Sequence, residues 1–343
     1  MSLDQGAAMV VGTDRSFTVQ SVVRNIVGNH LIWPLLGLLI ILGTFVDGFF
    51  SPRNLVNVLW GSTPLACMTL GMFMVMVLGA LDLSIESTFA VAPAMGLLVI
   101  MWWFPEVPWP VAILTMFAVA LVIGLVNGFI AVKVGVTPFL VTLATMLTLR
   151  GVVVWLIPEG VYALPAGVTY WGGARIFGEG EMNRNGIPVA IIIVVALMVV
   201  MAVVMNSTAF GKSVFAIGNN EPAAFVAGIN VQRVKITCFV LAALFASVGG
   251  LLQVGRLDSV TATMGDGDIM NVFAAVTLGG TSMQGGRGHV SGILGAALLI
   301  TAIENIMNLL GVEPSIRRII FGLVLLAAIC LASIQERMAR TNA

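Results

Sequence analysis

Long apolar runs without a single Asp, Glu, Lys or Arg divide this chain. A charge at the centre of a bilayer is costly, so such runs predict membrane-spanning helices. They lie at 25–46, 54–81, 87–105, 107–132, 134–149, 185–211, 236–255, 269–286, 288–303 and 319–335. The fifth run extends further if Arg150 is tolerated, and the ninth if Glu304 is. The pattern predicts an all-α polytopic membrane protein with about ten transmembrane helices.

Composition supports the same fold class. Apolar residues make up 59% of the 343 positions and charged residues 9%, against roughly 25% in soluble domains. Sixteen Lys and Arg balance sixteen Asp and Glu, so nucleic acid is not expected as a partner. Cys67, Cys238 and Cys330 each lie in an apolar run without CxxC spacing. They predict core packing, and neither a metal nor another cofactor is expected.

An even number of crossings puts both chain ends on the same side of the membrane. With the ends inside, the inner segments hold nine Lys and Arg and the outer segments six, which favours cytoplasmic termini. The predicted domains are a cytoplasmic segment 1–30, a transmembrane domain 31–334 and a cytoplasmic tail 335–343. The transmembrane domain includes a cytoplasmic segment at 206–235. The largest outer loop is expected at 158–186.

Two of the ten crossings are poor helices. The run 54–81 carries Pro64 and several glycines before GALDLS at 79–84, and 269–286 gives about twelve apolar residues before LGGTSMQGGRG at 278–288. Non-helical backbone at such depth is tolerated only when it is buried in protein or lines a wet cavity. Both segments therefore predict the transport path. VLGALDLS and TLGGTSMQ also share a Leu-Gly core, which fits either a duplicated architecture or chance similarity.

No residue pattern favours catalysis. NSTAFGKS at 206–213 approaches a phosphate-binding loop, but Asn206 stands where the first glycine belongs and a long apolar run precedes it. A serine protease would have to pair Ser282 with His30 or His289. The chain has only two histidines, so it offers few candidates for general acid–base catalysis. We therefore predict that the chain is not an enzyme.

The segment after the sixth crossing predicts a short helix at 221–227. Asn220 is a favourable N-cap, Glu221 places a negative charge in the first turn, and Gly228 can end the helix. A helix of this length is unstable alone in water. It is expected to dock either on its own bundle or on a partner.

Five stretches of the chain carry a resemblance to a known family: SPRNLVNVL at 51–59, LGALDLSIES at 78–87, LVNGFIAVKVGVTPFLVTLATMLTLRG at 125–151, GKSVFAIGNNEPAAFVAGINV at 211–231 and AAVTLGGTSMQGGRGHVSGILGAAL at 274–298. They resemble the membrane permease subunits of bacterial ABC importers for ribose, xylose, other monosaccharides and the autoinducer-2 signal. The likeness spans Ser51 to Ser333. Ala80 and Glu86 depart from the glycines of the family's GGIDLSVGS.

The resemblance implies a permease of the bacterial inner membrane that has no motor of its own. Its implied partners are a separate ABC ATPase, a second permease subunit of identical or different sequence, and a periplasmic substrate-binding protein. The short helix would be the coupling helix that seats in a groove of the ATPase. The residues of this coupling segment are Asn219, Asn220, Glu221, Pro222, Ala223, Ala224 and Gly228. The small Ala223 and Ala224 are expected to let the partner approach the helix backbone.

A path for a neutral polyhydroxy solute is expected to use neutral hydrogen-bonding groups more than charges. The candidate path residues are Asp82, Ser84, Asn127, Thr281, Asn305 and Asn308. Asn305 and Asn308 fit a polar stripe along the path or hydrogen bonds between helices equally well. Asp82 is also expected to accept backbone N–H groups that the break sets free.

Charged residues in the crossings keep a second function open. Arg150 is expected to snorkel outward, to pair with an acid or to meet the substrate. The alternative to an ATP-driven importer is an ion-coupled secondary transporter, in which Asp82, Glu86 or Glu304 would titrate.

Overall fold

The computed structural model describes residues 32–177, 186–313, 315–317, 319–320, 322–323 and 326. Within them, nearly all regular structure is α-helix. The helices are α1 (Ile32–Gly43), α2 (Pro52–Val77), α3 (Ile85–Leu98), α4 (Pro110–Phe129), α5 (Pro138–Leu156), α6 (Ala166–Gly173), α7 (Val189–Ser207), α8 (Ala209–Asn219), α9 (Glu221–Val226), α10 (Val231–Leu257), α11 (Asp268–Leu278) and α12 (Val290–Leu309). π-Helical turns at Val99–Trp103 and Ile130–Val134 extend α3 and α4.

Short strands are the remaining regular elements of the described residues. They are β1 (Val161–Tyr162), β2 (Arg175–Ile176), β3 (Ile187–Pro188) and β4 (Ser259–Val260). β1 pairs antiparallel with β4, so that Val161 lies opposite Val260, and β2 pairs antiparallel with β3. The predicted outer loop 158–186 therefore contains regular elements in its described residues, and its helix α6 packs against α10.

Seven helices in the described residues are long and apolar enough to cross a membrane: α2, α3, α4, α5, α7, α10 and α12. Each overlaps a predicted crossing, so the all-α polytopic fold is confirmed, while the count of ten is not. α11 has 11 residues, about half of what a bilayer requires, as expected for the short crossing at 269–286. The first and tenth predicted crossings fall partly outside the described residues. The predicted terminal segments 1–30 and 335–343 lie wholly outside them, as do His30 and Cys330.

The first break lies at GALDLS as expected, but the run before it is not the poor helix that its Pro64 predicted. α2 is continuous from Pro52 to Val77 although it contains Pro64. Proline has no N–H to donate to the carbonyl of Trp60, but the hydroxyl of Thr63 donates to that carbonyl at 2.7 Å. This substitute bond satisfies the freed carbonyl, so the helix continues through the membrane.

The helices differ sharply in how much of their surface is covered by protein. Of an 18-residue apolar stretch in each span, 78% is buried by protein in α2 and in α3 with its π-helical turn, whereas 17% is buried in α5. α10 crosses α2 so closely that a Cβ on Gly71 would lie 2.8 Å from the carbonyl oxygen of Ala242. Small residues at such crossings let helices pack in the absence of a strong hydrophobic drive. α2, α3 and α10 therefore form the core, and the apolar outer helices face lipid.

The predicted inner and outer loops separate to opposite ends of the bundle. At one end, residues of 78–80, 131–138 and 221–239 line a cavity of about 1120 Å³. At the other end, β1 pairs with β4, and Trp60 Nε1 donates to the carbonyl of Gly172 at 2.7 Å. This separation agrees with the parity of the predicted crossings.

Candidate translocation and coupling site

The first break separates α2 from α3 and contains the GALDLS segment. Gly79 has a φ of +78°, and the N–H groups of Gly79 and Ala80 donate back to carbonyls in the last turn of α2. Asp82 Oδ1 then accepts from the backbone N–H of Ser84 at 2.9 Å and from its hydroxyl at 2.6 Å. The expected support of the break by the Asp82 carboxylate is confirmed for this backbone group.

A buried chain of hydrogen bonds leads from the first break into α4 and α5. The Ser84 hydroxyl accepts from Asn127 Nδ2 at 2.8 Å, and Asn127 Oδ1 accepts from the Thr145 hydroxyl at 2.7 Å. Asp82, Ser84 and Asn127 are at most 1% exposed. The structure thus brings three of the six candidate path residues together, inside the core. Sequence reasoning missed Thr145. It lies three residues after Thr142, so both threonines lie on one face of α5, and this spacing was the available signal. The Thr142 hydroxyl contacts the carbonyl of Leu81 in the first break.

The second break separates α11 from α12 and repeats the way in which the first begins. Gly280 has a φ of +82°, and the N–H of Thr281 donates to the carbonyl of Val276, just as that of Ala80 donates to Val75. The same cap also ends α9 at Gly228 and α12 at Gly311, so it does not distinguish a duplicated architecture from chance similarity. Thr281, another candidate path residue, is 3% exposed.

The two breaks meet at the end of α8. The N–H of Gly286, in the second break, donates to the carbonyl of Val77, the last residue of α2, at 2.8 Å. Asn219 Nδ2, at the end of α8, donates to the carbonyl of Gly286 at 3.2 Å. Since Asn219 belongs to the predicted coupling segment, that segment contacts the second break directly.

A buried ion pair joins α3, α5 and the start of α11. Arg150 Nη2 lies 2.9 Å from Glu86 Oε1, and Glu86 Oε2 accepts from the N–H of Ile269 at 3.1 Å. Arg150 Nη1 donates to the carbonyls of Ala262 and Met264 at 3.1 and 2.9 Å. Of the three expectations for Arg150, pairing with an acid is the one that the structure confirms.

Asn305 and Asn308 lie on α12 and have different surroundings. Asn305 and Asn54 of α2 exchange two side-chain hydrogen bonds, at 2.8 and 2.9 Å. Asn308 is exposed and accepts from Arg317. Within the described residues neither asparagine bonds to the chain around Asp82. Asn305 therefore holds two helices together, which was one of the two readings of the polar stripe.

The short helix after the sixth predicted crossing forms as its sequence predicts. α9 spans Glu221–Val226, Asn220 Oδ1 accepts from the N–H of Ala223 at 3.0 Å, and Gly228 ends the helix with a φ of +83°. Pro222 occupies its first turn, where a missing N–H costs nothing. Glu221 Oε2 lies 2.6 Å from Lys235 Nζ, which fixes α9 to the base of α10.

The outward face of α9 differs from the expected one. Ala223 is exposed, but Ala224 is 4% exposed and packs on the chain's own helical bundle. The expectation that both alanines face a partner is therefore wrong for Ala224. Phe225 and Val226, 72% and 86% exposed, were missed. Two large apolar residues in a predicted water-facing helix were the available signal.

The fold and this site define a multi-pass helical membrane transporter in which two broken segments meet beneath a short exposed helix. Residues 54–329 match the family described as "Branched-chain amino acid transport system / permease component", and the chain belongs to that family. It is an importer permease of the ATP-binding-cassette class and a multi-pass protein of the inner membrane. This finding does not support the ion-coupled alternative.

Three curated relatives cover most of the chain. It is 35% identical over 298 residues to the ribose import permease protein RbsC of Escherichia coli (strain K12), covering 86% of this chain and 90% of that one. Identity to the ribose import permease protein RbsC of Bacillus subtilis (strain 168) is 35% over 301 residues, or 87% and 91% of the two chains. Identity to the L-arabinose transport system permease protein AraH of Escherichia coli (strain K12) is 31% over 317 residues, or 90% and 94%.

Proposed function

We propose that this chain forms the translocation path for a monosaccharide or a similar neutral polyhydroxy solute. The named relatives are a ribose import permease and an L-arabinose transport permease. The side chains of Ser84, Asn127 and Thr145 beside the first break are neutral and hydrogen-bonded in a chain, so they add no charge behind a path for an uncharged solute. Asp82, Ser84, Asn127 and Thr281 would support its wall from inside the core.

The observation that carries the proposal of ATP-driven import is the exposed apolar face of α9. Phe225 and Val226 project from the cytoplasmic end of the bundle, while Ala224 and the Glu221–Lys235 ion pair fix the helix from behind. Exposed apolar groups on a water-facing helix favour burial against a partner protein. We assign that partner as a separate ABC ATPase, which would hydrolyse the ATP.

Two further partners complete the proposed importer. A second permease subunit, identical or related, would close the path, and a periplasmic binding protein would deliver the solute to the outer end. The lipid bilayer covers the remaining surface, since α4, α5 and α7 expose mainly apolar side chains. The ATPase would contact the coupling segment, whose shape would be set by Asn219, Asn220, Pro222, Ala223 and Gly228.

The docking of the ATPase is tested by shortening the exposed side chains of α9. Phe225→Ala and Val226→Ala should each weaken co-purification of the ATPase by about 30-fold, because truncating an interface anchor typically costs about 2 kcal/mol. Phe177→Ala is the matched control, since Phe177 is 87% exposed and lies beyond α6, at the opposite end. Equal ATPase binding in all three variants would contradict the assignment.

The energy source is tested in cells with radiolabelled ribose, L-arabinose and galactose. We expect uptake to stop when ATP is depleted and to survive an uncoupler that collapses the ion gradient. The reverse pattern would refute ATP-driven import.

The proposed orientation places 1–30, 206–235 and 335–343 in the cytoplasm. It is tested by cysteine labelling from outside in a background lacking native cysteines. Tyr162 is 58% exposed, so Tyr162→Cys should react in intact cells, whereas Lys212→Cys should not. Gly173 is an unsuitable position, because a Cβ there would lie 2.4 Å from the carbonyl of Gly255. Labelling of Lys212→Cys alone would invert the orientation.

A further inference from the structure

The base of α9 is tied to the second break by one side chain. Asn219 is the last residue of α8 and directly precedes Asn220, the N-cap of α9. Its Nδ2 donates to the carbonyl of Phe215 at 2.8 Å, within α8, and to the carbonyl of Gly286 at 3.2 Å. A displacement of α9 therefore displaces a group that is bonded to the second break.

Gly286 continues this link to the first break. Its N–H donates at 2.8 Å to the carbonyl of Val77, one of the last carbonyls of α2, which lack a partner within the helix. Both backbone polar groups of Gly286 are thus engaged, one by α2 and the other by α8. α2 is continuous, and Asp82 follows shortly after its end.

Apart from the Asn219 side chain, the elements meet here through closely packed backbone. A Cβ on Gly218 would lie 1.9 Å from the carbonyl oxygen of Val77, and one on Gly285 would lie 2.8 Å from the N atom of Gly79. Gly285 and Gly286 have φ values of +87° and +73°, which favour glycine. Close-packed backbone transmits a displacement because no flexible side chain absorbs it.

We propose that Asn219 is a positioning residue that passes the displacement of α9 to both broken segments and so sets the coupling between ATP hydrolysis and transport. The inference rests on the proposed function, since it requires an ATPase seated on α9. Phe225 and Val226 would hold the motor, whereas Asn219 would transmit its movement.

The test uses the complete complex of permease, ATPase and binding protein in liposomes. With Asn219→Ala, the ATPase should still co-purify, while the radiolabelled ribose, L-arabinose or galactose taken up per ATP hydrolysed falls about fivefold. A fivefold change corresponds to the loss of one ordinary hydrogen bond that is formed in only one of the two conformations of the transport cycle. Ser213→Ala is the matched control, because it removes a 2.7 Å hydrogen bond to the Ala209 carbonyl inside the same helix. It should leave the ratio of uptake to hydrolysis unchanged.

A second readout follows the first break directly and needs no solute. Ala80 lines the cytoplasmic cavity, so the rate of thiol labelling of Ala80→Cys should change when ATP is added to the complex. The added Asn219→Ala should remove this ATP-dependent change, while a merely structural role would leave it intact. Asn219→Asp keeps the size and loses both donated hydrogen bonds, so it carries the same test if the alanine variant does not assemble.

Two outcomes would overturn this inference and leave the proposed function standing. One is an unchanged ratio of uptake to hydrolysis together with unchanged ATP-dependent labelling in an assembled variant. The other is loss of ATPase binding by Asn219→Ala, because it would assign Asn219 to docking rather than transmission. If the unsubstituted permease binds no ATPase, the proposed function itself fails, and that result is distinct from both.

Discussion

The two broken segments are held in place by different kinds of contact. Around the first, Asp82, Ser84 and Asn127 form a chain of side-chain hydrogen bonds in the core. Around the second, backbone groups of Gly286 bond to the ends of α2 and α8, and glycines with positive φ turn the chain. The first is thus fixed by bonds between polar side chains, and the second by closely packed backbone together with the side chain of Asn219. Apolar substitutions should damage the first, and added carbon atoms the second.

The largest effect is expected at Arg150, whose ion pair with Glu86 joins α3, which follows the first break, to α11, which precedes the second. Arg150→Leu leaves the Glu86 carboxylate buried without its cation, which typically costs roughly 3–5 kcal/mol. We expect most of the variant to fail to assemble, measured by SDS titration of the purified permease.

The control for Arg150 is the double variant Glu86→Met with Arg150→Met. Replacing both partners of a buried pair with apolar groups is often neutral, so much of the stability should return. If the single and double variants were equally stable, the ion pair would not hold α3 to α11.

The next effect concerns the second break. Gly218→Ala places a Cβ 1.9 Å from the carbonyl oxygen of Val77 and 2.6 Å from the N atom of Gly286. Both neighbours are backbone, so we expect a loss of about 3 kcal/mol, the upper end of the usual range for overpacking. Gly151→Ala on α5 is the control, since a Cβ there meets nothing within 4 Å. A stable Gly218→Ala permease with normal uptake would show that the second break tolerates side chains.

The comparison also shows what a sequence can predict. The carboxylate of Asp82, the Asn220 cap and the short α11 depend on neighbouring residues, so local patterns were sufficient. The contact of Gly218 with Val77 and Gly286 depends on distant segments, and glycines carry no chemistry that marks such a contact. The continuity of α2 through Pro64 was missed because one hydroxyl, that of Thr63, replaces the lost donor.

Side-chain orientation was the second thing that local patterns could not provide. Ala224 and Phe225 are adjacent on α9, and helix propensity does not tell which of them faces the bundle. The answer follows from how α9 packs against the bundle. Likewise, Glu86 and Arg150 were both noted as unusual charges, but only the fold places them 2.9 Å apart.

A smaller effect is expected from Asp82 at the first break. Asp82→Leu removes the acceptor of the Ser84 N–H and hydroxyl, which should cost about 2 kcal/mol, the usual penalty for unsatisfied buried donors. Asp82→Asn keeps one acceptor oxygen and should retain most of the assembled permease. SDS titration of both variants measures the difference. Normal assembly of Asp82→Asn with complete loss of uptake would instead indicate that the negative charge itself acts in transport.

The smallest effect is expected from Asn305, which lies in neither break. Asn305→Leu removes the exchange of hydrogen bonds with Asn54, and helix–helix hydrogen bonds in membranes contribute about 0.6 kcal/mol on average. Asn54 Nδ2 keeps a 3.0 Å bond to the carbonyl of Phe49, so its amide is not left without an acceptor. We expect a small shift in the SDS midpoint and unchanged uptake, with the exposed Asn308→Leu as the control. If Asn305→Leu abolished uptake while the SDS midpoint stayed within this shift, Asn305 would belong to the solute path, and polar side chains outside both breaks would carry part of the transport function.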